Sequence, residues 1–549
     1  MSIRRSSAIC STSRRSSRSV LSAGSPISET ISSTTFAADE WRLRPNLSLT
    51  LGLRYEFAGV PTGSRQQALN AIASVPGVLV FDEPRATRKD FAPRVGIAWS
   101  PGASGRTSIR AGFGLGYDQV YQNLGLNSLP PQFFTTIDAQ VDRPNQPNFL
   151  GSGGIAGGAV AITSPATARR LTSSFIPDQL RPYSMQWNLG VQRVFRNDYT
   201  VEARYLASRG IHLPYQIQTN RPVGVTGLDR SLPTFFQRPS QADLDRLTLN
   251  LTQLPLGRER DPQHLAGFTS SITAFTPQGN SSYHGLALQL TRRFARGLQL
   301  IGAYTWSHNI DDSTAALFTT VLSPRRPQDF FNLRPERASS ALDHRHRLTL
   351  SWVYESPWLK SNPAWWLKNL VGNWSVGGGY TAETGTWATL RSGVDSNQNG
   401  DNAGDRTVVN DAGDSGRGSG VTALRNTAGA IVGYLANDPT AKWIVAGNGV
   451  FPTAGRNTVR LPEINNFDMS VSKRVNISEH KQVEFRAEFY NTMNHPQYTA
   501  GIPSAANLRS RSGAAETSML IPGTAIFLRP DLAFQSNSRG GQLVLRFQF

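Results

Sequence analysis

The chain holds 549 residues, with 56 basic against 38 acidic side chains, a formal net charge of +18, one cysteine and 39% hydrophobic residues. A lone Cys10 excludes a disulfide scaffold, glycines without a fixed period exclude collagen, and the lack of any run of 18 uncharged apolar residues excludes a helical membrane span. With 26 Phe, 14 Tyr and 11 Trp to bury, wholesale disorder is disfavoured, which leaves a β-rich chain with much loop.

Residues 1–38 are dominated by Ser, Thr and Arg. They offer too little apolar area to offset the entropy of ordering them, so this stretch reads as a disordered arm ahead of a domain at 39–549. Arg4 and Arg5 supply the basic start of an export signal, but Arg14, Arg15 and Arg18 interrupt the apolar run that must follow. No signal peptide is legible.

From residue 47 onward apolar and polar residues alternate. Leu47, Leu49, Leu51, Leu53, Tyr55 and Phe57 are separated by Ser48, Thr50, Gly52, Arg54 and Glu56, the signature of a two-faced strand. The pattern returns at 95–99, 109–117, 185–191, 199–205, 286–290 and 298–306. It continues at 348–354, 374–380, 467–471, 483–489 and 543–549, giving twelve predicted strands, most of 9–13 residues. Soluble strands average about 5–6 residues, whereas a tilted bilayer crossing takes about 9–11. The polar parity carries Arg54, Arg110, Arg204, Arg486 and Arg546 together with Glu202, Glu484 and Glu488. Facing lipid, five such arginines would cost on the order of 10–20 kcal/mol at about 2–4 each; facing a watery lumen they cost nothing comparable. Arg292 and Lys473 fall on the apolar parity near strand ends, where long basic side chains reach the headgroups.

Tight links at 101–105, 196–198, 295–297 and 477–481, with a modest one at 357–371, alternate with long connections at 58–90, 119–182, 209–281, 310–342, 389–464 and 493–539. Outer-membrane barrels show this asymmetry, with short periplasmic turns and long external loops; a Greek-key sandwich has no reason to. The expected fold is therefore an all-β transmembrane antiparallel β-barrel in the outer membrane, its C-terminus periplasmic. Its long, Gly/Pro-rich loops are expected to be mobile.

The segments DEWRLRPNLSLTLGLRYEF (39–57), FAPRVGIAWSP (91–101), RTSIRAGFGLGYD (106–118) and MQWNLGVQRVF (185–195) resemble the barrel of Oar-like TonB-dependent transporters of acidobacterial type. So do ARYLASRGIHL (203–213), LQLTRRFARGLQLIGAYTWSHNIDD (288–312), DHRHRLTLSWVYESP (343–357), FDMSVSKRVNI (467–477) and VEFRAEFYNTMNHPQY (483–498), in family order. The resemblance implies a 22-stranded barrel with an N-terminal plug and import of a bulky solute. The twelve strands correspond to the C-terminal half, with the plug and the TonB-contacting segment not in view. That makes the chain a gene fragment, a product of a misassigned start, or a barrel reduced to twelve strands. The TonB system is then a partner only through the missing plug. The closing GGQLVLRFQF places Leu543, Leu545, Phe547 and Phe549 on one face. Terminal strands of barrel proteins resemble it, which implies a signal read by the barrel-assembly machinery.

Chemistry is sparse. Asp395, Asn397, Asn399, Asp401 and Asp405 surround Gly400 with D-x-N-x-N-G spacing, which can point oxygens at one calcium ion, although no bidentate Glu follows. His344 and His346 sit two apart beside Asp343, but Arg345 and Arg347 would repel a zinc ion. No nucleophile elbow, phosphate loop or catalytic triad is legible, so enzyme activity and cofactors other than structural calcium are not expected. The arginines are dispersed rather than gathered into a nucleic-acid stripe; basic loops and lumen suit lipopolysaccharide phosphates and anionic solutes instead. Three functions remain open: barrel of a TonB-dependent importer, passive porin-like channel, and surface adhesion or structural protein.

Overall fold

A computed structural model describes residues 5–19, 28–59, 72–82, 85–118, 164–172, 174–177, 180–254, 261–315, 320–478, 480–503 and 518–549. Among them fourteen strands form one antiparallel meander, each pairing with its neighbours in the chain. They are β1 (Arg5–Ser19), β2 (Ser28–Arg44), β3 (Leu47–Ala58), β4 (Asp90–Trp99), β5 (Thr107–Tyr117), β6 (Tyr183–Phe195) and β7 (Tyr199–Gln218). The meander continues through β8 (Thr273–Ala295), β9 (Leu298–Asp311), β10 (His346–Glu355), β11 (Trp374–Glu383), β12 (Ile464–Asn476), β13 (Gln482–Tyr490) and β14 (Gly540–Gln548). Among the described residues no pairing joins β1 to β14.

All twelve strands expected from alternation are present as β3–β14. The first two strands correct the expectation of a disordered arm: 5–19 and 28–44 pair with each other and extend the sheet through β3. Their composition gives no alternating stripe, but a neighbouring strand's unpaired N–H and C=O groups order a segment through backbone hydrogen bonds that do not depend on side-chain polarity.

Register makes the two faces continuous. Leu49 lies opposite Ile97, Ile97 opposite Ala111, Ala111 opposite Leu189 and Leu189 opposite Tyr205. Tyr205 faces Leu286 and Leu286 faces Trp306, whose partner on β10 is His346; further apolar pairs on the same parity are Tyr304–Leu348, Leu350–Tyr380, Tyr380–Phe467 and Phe485–Leu545. A one-residue slip at any pairing would turn a whole strand's apolar set inward. The two basic exceptions behave as their position demands. Arg292 lies over the Tyr199 ring at 5.4 Å and donates to the Ala295 carbonyl at 3.1 Å. Lys473 lies over Trp374 at 5.0 Å and donates to the Gly372 carbonyl. Arg193, over Phe195 at 5.4 Å, is a third case on the outward parity.

Turn chemistry separates the two ends. Arg296 (φ 50°) with Gly297 (φ 81°) closes β8–β9 as the left-handed pair that matches strand twist in a two-residue hairpin, and Arg196 (φ 43°) and Asn197 (φ 62°) turn the three-residue link 196–198 of β6–β7. A Cβ on Gly297 would lie 2.2 Å from the Glu355 carbonyl oxygen, so no larger residue fits there. The Pro45–Asn46 link between β2 and β3 falls at this same end, so the added strands preserve the alternation of tight and long connections.

At the other end the described long loops build cores of their own. Leu322, Leu390, Trp443, Leu461, Met519, Leu520 and Phe534 pack as one cluster; Val225, Leu232, Leu254, Tyr434, Ala446 and Val450 form a second. Most of the 119–182 connection lies outside the described residues.

Beneath these loops β3 and β4 place Glu56 directly opposite Asp90, both buried. The like charges are joined by buried Arg181, 3.0 Å from Glu56 and 3.1 Å from Asp90, which also donates to the Asp118 carbonyl at 3.1 Å. Arg181→Met should cost about 3–5 kcal/mol, because it leaves buried Asp90 without a cation and Glu56 with only the partly exposed Arg54. Adding Glu56→Gln and Asp90→Asn should recover much of the loss, as urea unfolding of the refolded protein in vesicles would show. The faces are tested by a contrast on β6: Leu189→Arg should destabilise by about 2–4 kcal/mol and Asn188→Arg by far less, and equal effects would refute the assignment.

Candidate functional site

Residues two apart on a strand share a face, and the inner face uses that spacing for charge. Arg54 pairs with Glu56, Arg204 with Glu202 at 3.0 Å, and Arg486 with Glu488 at 3.1 Å. Arg474 reaches across to Glu484 at 3.6 Å, and Arg546 lies opposite Glu484 on the next strand. Small residues make room for the long arginines: a Cβ on Gly190 would lie 2.9 Å from Cγ of Arg204, its register partner. The result is a partly exposed wall of alternating sign, able to hold water and polar solutes.

The loop cap closes around the Asp/Asn turn at 395–405. Its five predicted ligands are brought together, but not as one cation cage. Asp401 is engaged by Arg326, whose Nε and Nη2 donate to its carboxylate at 2.6 and 2.7 Å. Asn397 and Asn399 both donate Nδ2 to the Gln328 carbonyl, at 2.7 and 2.9 Å, while their Oδ1 atoms accept from Asn399 N and Asp401 N within the turn. Asp395 Oδ2 accepts from Gly400 N at 2.8 Å, and Asp405 Oδ2 from Ser396 N at 2.6 Å. Val225 N donates to the Asn397 carbonyl at 2.6 Å. A Cβ on Gly224 (φ +66°) would meet that carbonyl at 2.5 Å, so the two loops approach as closely as glycine allows. Burial pushes the Asp405 carboxyl well above the usual carboxylate range, and neighbouring Asp395 adds to the rise; burial raises Asp395 as well.

Two further buried ion pairs bind the cap to itself and to the sheet: Arg406 with Glu336, and Arg456 with Asp311 at the end of β9. Sequence reasoning singled out neither arginine. The only signal was basic residues inside Gly- and Asn-rich loops, which is also what an exposed loop looks like.

The zinc candidates are occupied otherwise. His344 Nδ1 lies 2.9 Å from Glu383 and from the Thr384 carbonyl, and His346 Nδ1 lies 2.8 Å from the Tyr304 hydroxyl. Among the described residues no three His, Cys, Asp or Glu side chains gather into a metal-binding group. On β14, Leu543, Leu545 and Phe547 stand opposite Ala487, Phe485 and Val483 on the outward parity, with Phe549 following and 96% exposed.

Three solved structures similar to this chain are an outer membrane transporter, YddB, from Escherichia coli (8% identity, TM-score 0.40), the siderophore receptor PiuA from Acinetobacter baumannii (11%, 0.39) and the FrpB iron transporter from Neisseria meningitidis (10%, 0.40). Each match covers 95% of this chain and 46%, 44% and 46% of the respective partner, so the chain spans less than half the length of these structures. No curated protein matches the chain. The model of the outer membrane beta barrel domain matches residues 13–520. With that match spanning nearly the whole meander, the chain belongs to the outer membrane beta-barrel domain family.

Proposed function

We propose that this chain forms the C-terminal part of the barrel of a TonB-dependent receptor of the Oar-like type, the whole receptor importing a bulky solute across the outer membrane. The observation that carries the reading is the apolar parity that recurs on one face across the strand pairings of β3 to β14, its basic exceptions Arg193, Arg292 and Lys473 lying near strand ends, opposite a wall of Arg–Glu pairs on the other face. Such a sheet is stable only between hydrocarbon and water. The segments that carry the family resemblance fall on β2–β13, and the long connections between them pack into a cap at one end, where a receptor meets its ligand.

In this reading the cap faces outward, where its basic side chains meet lipopolysaccharide phosphates, and the tight turns and Phe549 face the periplasm. Energy from the TonB system reaches the barrel only through a plug, and no catalytic step is involved. Leu543, Leu545, Phe547 and Phe549 form the signal that the assembly machinery recognises on a terminal strand.

Short epitope tags test the topology. A tag after Thr427, in the exposed turn that follows Arg425, should be labelled on intact cells, and one at Ala103 only after permeabilisation. The reverse pattern inverts the orientation, and labelling of neither in permeabilised membranes refutes the placement. Planar-bilayer recording separates the importer from a passive channel: the receptor reading expects no steady stepwise conductance, and the porin reading requires it. Removing Phe549 should lower the amount assembled in the outer membrane several-fold while leaving refolding into pure lipid vesicles unchanged. Equal loss in both settings would make Phe549 a packing residue and not a signal.

A further inference from the structure

We propose that the 395–405 turn binds one calcium-class cation through the free carboxylate oxygens of Asp395 and Asp405, with Ser396 Oγ and Gln398 Oε1 as neutral ligands, and that this cation locks the loop cap.

The ligand set follows from which oxygens the protein leaves unpaired. Asp405 and Ser396 are fully buried, both at 0% exposure. Each carboxylate spends one oxygen on a turn amide, Asp395 Oδ2 on Gly400 N and Asp405 Oδ2 on Ser396 N. The other oxygen of each, Asp395 Oδ1 and Asp405 Oδ1, is sealed from solvent and accepts no hydrogen bond; Ser396 Oγ and Gln398 Oε1 are in the same condition. Four orphaned oxygens within eleven residues is a concentration that needs a partner, because a buried unpaired polar atom costs about 1–3 kcal/mol and a charged one more. Arg326 is spent on Asp401 and Arg406 on Glu336, while Arg221, whose charge acts on Asp395, donates to Gln218 and Ser271 and makes no ion pair with either carboxylate. An amide donor is excluded for Asn397 and Asn399, whose Nδ2 atoms are turned to Gln328.

The donor chemistry selects the ion. All four atoms are hard oxygens, two charged and two neutral, with no sulfur or imidazole among them, which suits calcium and disfavours zinc or copper. Calcium takes six to eight oxygens in flexible geometry, so turn carbonyls and water complete the shell, whereas magnesium demands a near-ideal octahedron. The consequence for the fold is direct. The turn holds Val225 through the Asn397 carbonyl and the 326–328 segment through Asp401, Asn397 and Asn399. A cation that fixes its two ends, Asp395 and Asp405, therefore fixes three loops at once. This inference does not depend on the transport reading, since it concerns the cap of the folded chain whatever the barrel carries.

The test uses the full chain refolded in detergent, stripped with chelator and titrated with calcium alone. Isothermal titration should show one site, and calcium should raise the melting temperature of the cap and slow trypsin cleavage within 384–463. Asp405→Asn and Asp395→Asn should each weaken calcium binding at least tenfold and remove the thermal response. Asp401→Asn, which breaks the Arg326 pair instead, should destabilise the cap yet keep the calcium response. Should Asp405→Asn fail to fold, the half-buried Asp395→Asn decides the matter. Identical melting in calcium and chelator, with no heat of binding in the wild-type chain, would overturn the proposal and make Asp405 a buried neutral acid. Loss of the calcium response in Asp401→Asn alone would also overturn it, because the ion would then sit on the wrong carboxylate.

Discussion

Hydrocarbon offers neither a donor nor an acceptor, and every other feature of this chain accommodates that fact. Backbone groups between lipid-facing side chains must be satisfied within the sheet, so the strands are long, antiparallel and each paired with its chain neighbours. Side chains on one parity must be apolar across the hydrocarbon, which leaves the other parity and the strand ends as the places for charge. The inner face answers with Arg–Glu pairs spaced two apart on single strands. A pair on one strand needs no particular neighbour, so it can be kept through changes of partner strand. Pairs of this kind that are half exposed to water contribute little to stability, and their use is to keep the wall polar without concentrating one sign.

The cap obeys a different constraint. Away from lipid the loops can bury apolar residues against one another, and they do so around Trp443, Leu390 and Tyr434. Their buried charges are matched nearly one to one: Arg181 with Glu56 and Asp90, Arg406 with Glu336, Arg456 with Asp311, Arg326 with Asp401. Removing one member of such a pair is expensive even where the pair itself adds little net stability. These ties therefore serve to fix which loop packs where. The 395–405 turn departs from this matching, since two of its carboxylates end with an oxygen that no donor meets.

What the sequence revealed divides along the same line. Strands β3–β14 were legible because a two-faced environment writes itself into alternation, as in Leu47 to Phe57, and the outward exceptions Arg292 and Lys473 were legible because both lie near strand ends. Strands β1 and β2 were not. Their order comes from backbone pairing to β3, and a register such as Phe36 opposite Arg54 and Thr35 opposite Tyr55 leaves no periodic mark in a Ser/Thr-rich segment. The cap was illegible for a third reason: its strands are two to six residues long, too short for any period to emerge.

Arg181 shows how far register can extend such reading. On the sequence it is one arginine among many, in a long connection. Once β3 and β4 are aligned, Glu56 and Asp90 fall side by side on the inner face, and two adjacent carboxylates at the buried end of a sheet require a cation between them. The strand that follows next but one begins at Tyr183, two residues after Arg181, so the chain delivers a guanidinium to that end as β6 enters the sheet. Charge balance applied to a correct register thus identifies the clamp without any conserved motif. Applied to the Asp395–Asp405 turn, the same balance finds Arg326 and Arg406 engaged elsewhere and Arg221 donating to Gln218 and Ser271, and the proposed cation is what would close it.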